Sequence, residues 1–242
     1  MLDAAGNLHR RFVAEACGSA LLLAAVVGSG IMGERLAGGN VAIALLANTL
    51  ATGAALVALI LAFAPVSGAH FNPAVTIADA WRGGLPWRAV PAYVTAQVSG
   101  AFVGVMTAHL MFGEPVLSVS RHARHGPGQL LSEFVATFGL LAVIWGCSRR
   151  RSSDAALAVG AYIASAYWFT ASTSFANPAV TLARAFTDSF AGIRPADVPA
   201  FVIAQLLGAL AAACLGRWLF ALPSHAPAVR EIEPPQRERK VS

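Results

Sequence analysis

Residues 72–81 read Asn72-Pro73-Ala74-Val75-Thr76-Ile77-Ala78-Asp79-Ala80-Trp81, and residues 177–186 read Asn177-Pro178-Ala179-Val180-Thr181-Leu182-Ala183-Arg184-Ala185-Phe186. Seven of the ten positions are identical, Ile77/Leu182 and Trp81/Phe186 are like for like, and the copies lie 105 positions apart. A repeat of this length points to two homologous halves. Each copy opens as a helix does. Asn is a preferred N-cap, and Pro at the first helical position has its φ already set and lacks an N–H that would be orphaned anyway. Both caps sit between long apolar runs, where a polar group belongs only if it faces something polar.

The rest of the chain is unusually apolar. Of 242 residues 57% are hydrophobic and 12% charged, and the mean hydropathy is +0.63. Stretches long enough to cross a hydrocarbon core of ~30 Å recur at 12–32, 41–63, 88–112, 130–147, 155–171 and 197–221. A soluble domain of 242 residues could not cover so much apolar surface. Glu15 interrupts the first stretch and no small-residue cleavage pattern follows it, so it reads as a span rather than a signal peptide.

The net charge of +5 is a topology signal, not a nucleic-acid footprint. Arg10, Arg11, Arg82, Arg88, Arg149, Arg150, Arg151, Arg217, Arg230, Arg237, Arg239 and Lys240 fall on one side of the spans; Arg35, Arg121, Arg124, Arg184 and Arg194 fall on the other. The positive-inside rule then makes both termini cytoplasmic, as an even number of spans requires. Cys17, Cys147 and Cys214 lie in spans at no metal-like spacing and read as small core residues. His122 and His125 lack further ligand spacing, so the linker at about 113–129 reads as solvated, with its His and Arg residues in water. Neither a metal nor a cofactor is expected.

The repeat extends beyond the decamers. Glu15 stands in Phe-Val-Ala-Glu-Ala-Cys-Gly of the first span and Glu133 in Leu-Ser-Glu-Phe-Val-Ala-Thr of the fourth. Gln97 and Gly100 in the third are matched by Gln205 and Gly208 in the sixth. Each half therefore has three spans and one half-helix, and an odd number of spans inverts one half relative to the other. The expected fold is an all-α membrane protein: six transmembrane helices plus two re-entrant half-helices in two inverted repeats. Its divisions are a cytoplasmic N-terminus (1–11), a channel domain (12–222, repeats about 12–112 and 130–221) and a disordered cytoplasmic tail (223–242). Two half-helix N-termini would then meet near the midplane. Their dipoles repel cations, and Asn72 and Asn177 offer N–H donors to a neutral hydroxylated solute. Non-helical backbone at that depth is tolerated only inside protein or along a watery path.

The paired Asn-Pro-Ala boxes (Asn72, Pro73, Ala74; Asn177, Pro178, Ala179), Glu15/Glu133 and the paired Gln-x-x-Gly helices resemble the aquaporin, or major intrinsic protein, family over about residues 10–222. The resemblance implies a homotetramer in the lipid bilayer with one pore per subunit. It also implies that Glu15, Glu133 and His70 are pore-support residues holding loop backbone whose carbonyls line the conduit. One position departs from the family. Where most members have Arg after the second box, this chain has Val180. Counting as in the family puts Thr52 and Ser174 in the selectivity filter, with either Ser165 or Tyr167 as the residue from the fifth span. Arg184 lies one turn further along the half-helix and is expected off that spot. The filter is then wide, weakly polar and uncharged, unless Tyr167, Trp168 or Phe175 refills it.

The Thr52/Val180 pair and the run 166–177 resemble bacterial channels linked to arsenic-resistance operons, the AqpS-like aquaglyceroporins. That resemblance implies passage of neutral As(OH)₃ and of methylated arsenicals. The alternatives are a general glycerol, urea and water facilitator, or a non-conducting structural protein on the same fold. No nucleophile–base pair or phosphate-binding loop suggests an enzyme. A single Lys against sixteen Arg, with heavy Ala use, suggests a GC-rich bacterium and its cytoplasmic membrane.

Overall fold

The computed structural model describes residues 4–147 and 152–219; the expected tail at 223–242 and the basic run Arg149–Arg151 lie outside the described residues. Eight α-helices follow in order: α1 (Ala4–Leu36), α2 (Val41–Ser67), α3 (Pro73–Trp81), α4 (Val90–Phe112), α5 (Pro127–Cys147), α6 (Ser152–Phe169), α7 (Pro178–Ala183) and α8 (Val198–Leu219). A 3-10 turn, Arg184–Phe186, continues α7. Helices α1, α2, α4, α5 and α8 are long and apolar enough to cross a membrane. The sixth expected span is α6, the shortest of the long helices at 18 residues, packed against α2 and α5. The chain is a multi-pass membrane protein.

Helix ends follow local chemistry. Asn40 caps α2 by accepting from the N–H groups of Ala42 and Ile43. Helix α2 runs past the expected limit at 63, through Pro65, and stops at Gly68, which takes a left-handed φ of 89°. Pro near a C-terminus removes one ladder bond and leaves the helix intact. Asn72 and Asn177 cap α3 and α7 as the sequence predicts, each with Pro at the first helical position.

Packing repeats the internal symmetry. Helix α1 lies on α2 and α4, and α5 lies on α6 and α8 in the same way. The α1–α4 and α5–α8 pairs approach closely because Gly100 and Gly208 carry no side chain. A Cβ on Gly100 would run into the carbonyl oxygen of Ala16, and one on Gly208 into that of Phe134. In a membrane, where lipid is as apolar as leucine, such close contact is what holds helices together.

The distribution of polarity is the reverse of a soluble protein's. Glu15, Gln97, Glu133 and Gln205 are wholly buried, whereas Leu21, Leu50, Leu110, Leu131 and Ile203 are exposed. Cys17 and Cys214 also face outward, a correction to their reading as core residues: a small side chain in an apolar span suits the outer surface as well as the interior. Arg124 is the second correction, because the linker arginine is buried rather than solvated. Its Nε donates to Gly192 O at 2.8 Å and its Nη1 to Ser172 O at 3.2 Å. Burial pushes its guanidinium down to about 10, with Glu133 and Tyr167 acting to raise it, so it stays charged at neutral pH.

Gly208→Val should lower the thermal unfolding midpoint in detergent, by about 1–3 kcal/mol of overpacking. Gly128→Ala, where an added Cβ meets nothing within 4 Å, should hold the midpoint or raise it slightly, because Ala is the better helix former.

Candidate functional site

The two half-helices meet at their N-termini. Asn72 Nδ2 donates to Ala176 O at 2.7 Å, and Asn177 Nδ2 donates to Phe71 O at 2.8 Å. Each side-chain oxygen meanwhile caps its own helix: Asn72 Oδ1 accepts from Ala74 N, and Asn177 Oδ1 from Ala179 N and Val180 N. The brace is reciprocal, each half's Asn holding the other half's backbone. An amide NH₂ carries two hydrogens, so one N–H on each Asn is left to face the lumen.

From that junction the half-helices lead to opposite ends of the bundle. Helix α3 ends in the loop that starts α4, whereas the turn after α7 bonds to the loop that follows α4: Ser118 N donates to Phe186 O and Ser120 N to Ala185 O. The two loops are thus separated by the 23 residues of α4, about 34 Å of helix.

The extended segments leading into the two Asn residues need unusual backbone. Ala69 and Phe71, three and one before Asn72, have φ of 51° and 50°; Ser174 and Ala176, in the same positions before Asn177, have 51° and 48°. Left-handed backbone at non-glycine residues costs on the order of 1–2 kcal/mol each. The compensation comes from the two buried carboxylates. Glu15 accepts from His70 N (3.0 Å), Phe71 N (2.7 Å), Ser67 Oγ (2.6 Å) and Gln97 Nε2 (2.8 Å). Glu133 accepts from Phe175 N (2.9 Å), Ala176 N (2.8 Å) and Gln205 Nε2 (2.6 Å).

Two functional positions escaped the sequence reading. Thr76 and Thr181 close each network: Gln97 Nε2 donates to Thr76 Oγ1 at 2.9 Å and Gln205 Nε2 to Thr181 Oγ1 at 2.8 Å. Each Thr hydroxyl then donates to the carbonyl of its Asn, Thr76 to Asn72 O at 3.0 Å and Thr181 to Asn177 O at 2.8 Å. Their identity in both decamers was the available signal. His70 sits beside this network, with Nδ1 at 3.2 Å from Thr76 Oγ1 and Nε2 at 3.7 Å from Asp79 Oδ2.

A cavity of about 380 Å³ threads the junction. Its wall is mainly apolar, with Leu22, Val26, Leu56, Ile60, Leu140 and Ile163 from four long helices, and its polar groups are gathered at a few levels. Asn72, Asn177 and His70 line it at the centre and towards Asp79; Thr52, Tyr167, Ser174 and Val180 line it towards α7. Tyr167 OH lies 3.3 Å from Thr52 Oγ1. Ser174 Oγ is buried without a partner among the described residues. Of the two candidates from the fifth span, Tyr167 borders the cavity, whereas Ser165 is exposed and turns back to Tyr162 O. Phe175 also lines it, and Trp168 is exposed on the outside.

Arg184, expected one turn beyond the filter position, adds a positive charge to the cavity wall. It is 2% exposed and borders the same cavity as Val180. Its guanidinium lies 3.4 Å from the centroid of the Phe175 ring, and its Nε donates to Ala191 O. The physical reason is the lean of helical side chains towards the helix N-terminus. A long side chain one turn beyond Val180 can thus meet the ring of Phe175, two residues before Asn177. Among the described residues no group of three or more His, Cys, Asp or Glu is placed to hold a metal.

Two capped half-helices meeting tip to tip inside an inverted pair of three-helix units define a membrane protein of the aquaporin kind. Residues 4–164 and 148–234 match the family described as Major intrinsic protein, and the chain belongs to that family. It is 56% identical over 228 residues to Aquaglyceroporin AqpS of Rhizobium meliloti (strain 1021), covering 94% of this chain and 97% of that protein. It is 30% identical over 232 residues to Aquaporin Z of Bradyrhizobium diazoefficiens, covering 89% and 95%. The aquaglyceroporin from Plasmodium falciparum, solved by X-ray crystallography, has the same fold at 22% identity, with a TM-score of 0.71 over 88% of this chain and 97% of that one.

Glu133→Gln should replace one acceptor by a donor facing the N–H groups of Phe175 and Ala176, at a cost of about 2–3 kcal/mol. The unfolding midpoint in detergent should fall accordingly, and water flux in reconstituted vesicles should fall with it.

Proposed function

We propose that the chain is a passive aquaglyceroporin channel for small neutral hydroxylated solutes, with metalloid hydroxide As(OH)₃ the favoured substrate and methylated arsenicals, glycerol and water also carried. The observation that carries this reading is the cavity itself: an apolar wall with hydroxyl and amide groups at two levels, Asn72/Asn177 and Thr52/Tyr167/Ser174. Such a wall offers a hydroxylated solute replacements for its water at those levels and gives an ion little hydration between them. As(OH)₃ is uncharged near neutral pH and presents three hydroxyls, as glycerol does. Val180, short where most family members carry Arg, leaves room for a solute bulkier than water.

In this reading Glu15, Glu133 and His70 hold the pore backbone, and Asn72, Asn177, Thr52, Tyr167, Ser174 and Val180 meet the solute. The channel domain spans 12–222 between a cytoplasmic N-terminus and a cytoplasmic tail, and four copies assemble in a bacterial inner membrane. Direction is set by the solute gradient. A general glycerol, urea and water facilitator is the second reading, favoured by Tyr167, Phe175 and Arg184, which return volume to the filter.

Stopped-flow light scattering on proteoliposomes separates the two. Wild-type vesicles should pass water, glycerol and arsenite, and Val180→Arg should cut glycerol and arsenite while sparing water. Glycerol flux without arsenite flux selects the general facilitator, and wild-type vesicles that conduct water alone would sink both solute readings.

A further inference from the structure

The two decamers differ non-conservatively at one pair of positions: Asp79 in the first and Arg184 in the second, each seven residues beyond its Asn. Both residues line the cavity. Because α3 and α7 run to opposite ends of the bundle, an otherwise symmetric pore carries an acid at one end and a base at the other.

The two ends are not equally neutralised. Asp79 is partly exposed and has His70 at 3.7 Å. Arg184 is fully buried, and no carboxylate pairs with it among the described residues. The groups whose fields favour its charge are Tyr167, a neutral phenol that hydrogen-bonds it, and Glu133, which is already engaged by Phe175 N, Ala176 N and Gln205. A second buried cation, Arg124, lies 5.0 Å from the same Phe175 ring that Arg184 covers at 3.4 Å. Arg124 bonds through its side chain to the carbonyls of Gly192, Ser172 and Phe190 and to the Thr173 hydroxyl, all uncharged. Two guanidinium groups against one aromatic ring repel each other, and carbonyl dipoles and a ring face compensate a buried cation only in part. A small anion at the cavity edge of Arg184 would relieve both charges at once.

The guanidinium is also set up for it. Its Nε is bonded to Ala191 O and one face covers Phe175, which fixes the plane. The Nη edge lies at the cavity beside Tyr167, which hydrogen-bonds the guanidinium; it carries four N–H hydrogens, more than one phenol oxygen can accept. A planar N–H edge of this kind matches an oxyanion better than it matches a neutral polyol.

We propose that Arg184 is the binding residue of a small-anion site at the α7 end of the pore, taking singly charged oxyanions that compete with neutral solutes for the mouth. The proposal rests on the channel reading above. It makes charge, not width alone, a determinant of what enters: a neutral hydroxylated solute passes Arg184, a cation is repelled, and an oxyanion is held there.

Methanesulfonate is a suitable probe, because it has no neutral form near pH 7 to leak through lipid. Water flux through proteoliposomes is measured with sodium methanesulfonate on both sides and with sucrose at equal osmolality. Wild-type flux should fall severalfold in a saturable way, Arg184→Gln should conduct with little sensitivity, and Arg88→Gln, which removes an exposed arginine elsewhere, should respond like wild type. If Arg184→Gln does not fold, Arg184→Lys keeps the charge without the planar edge, and its inhibition should move to higher concentration. Wild-type flux indifferent to methanesulfonate, or an Arg184 variant with the wild-type inhibition curve, overturns the site while leaving the channel reading intact. A wild type that conducts no solute at all overturns the channel reading, and the site with it.

Discussion

Everything in this structure depends on two buried carboxylates holding two strands of non-helical backbone inside a membrane. Peptide N–H groups with no partner cost several kcal/mol each in hydrocarbon, and the segments before Asn72 and Asn177 can make no helical bonds. Glu15 and Glu133 collect those N–H groups from outside the pore. In the same segments the carbonyls of Phe71 and Ala176 accept from the Asn of the other half. The carboxylate contacts sustain the left-handed residues Ala69, Phe71, Ser174 and Ala176, which an unrestrained chain would abandon.

The carboxylates are held in turn by groups from other helices. Gln97 and Gln205 reach from α4 and α8 and bridge each Glu to a half-helix Thr. Those helices approach closely enough only because Gly100 and Gly208 lack a side chain. Packing and hydrogen bonding are therefore one arrangement: a bulkier residue at the glycine moves the Gln, and the Gln then leaves the carboxylate. The outer faces of the helices take no part and can remain apolar for lipid.

Much of this was legible in the sequence because it is written twice. The Asn-Pro-Ala boxes, the Glu pair and the Gln-x-x-Gly pair each stand at matching places in both halves, and inversion follows from three spans per half. Thr76 and Thr181 were equally visible, but hydroxyls inside a short helix carry no signal of their partner until the Gln helix is placed beside them. The place of Arg184 in the cavity wall was hidden for a different reason. Counting positions locates a Cα atom, whereas an arginine acts several ångströms away, back along its own helix. Arg124 was hidden because its partners are carbonyls of loops distant in sequence, and no side-chain pattern announces a carbonyl.

The reciprocal brace between the halves has a consequence for how the chain is made. Asn72 closes on Ala176 O, and Asn177 on Phe71 O, so neither re-entrant segment can reach its final form until both have been synthesised. While the second half is still in the ribosome, the first loop carries its polar cap with no cross-partner. The contact at the centre of the pore thus joins residues more than a hundred positions apart, and neither half completes the conduit alone.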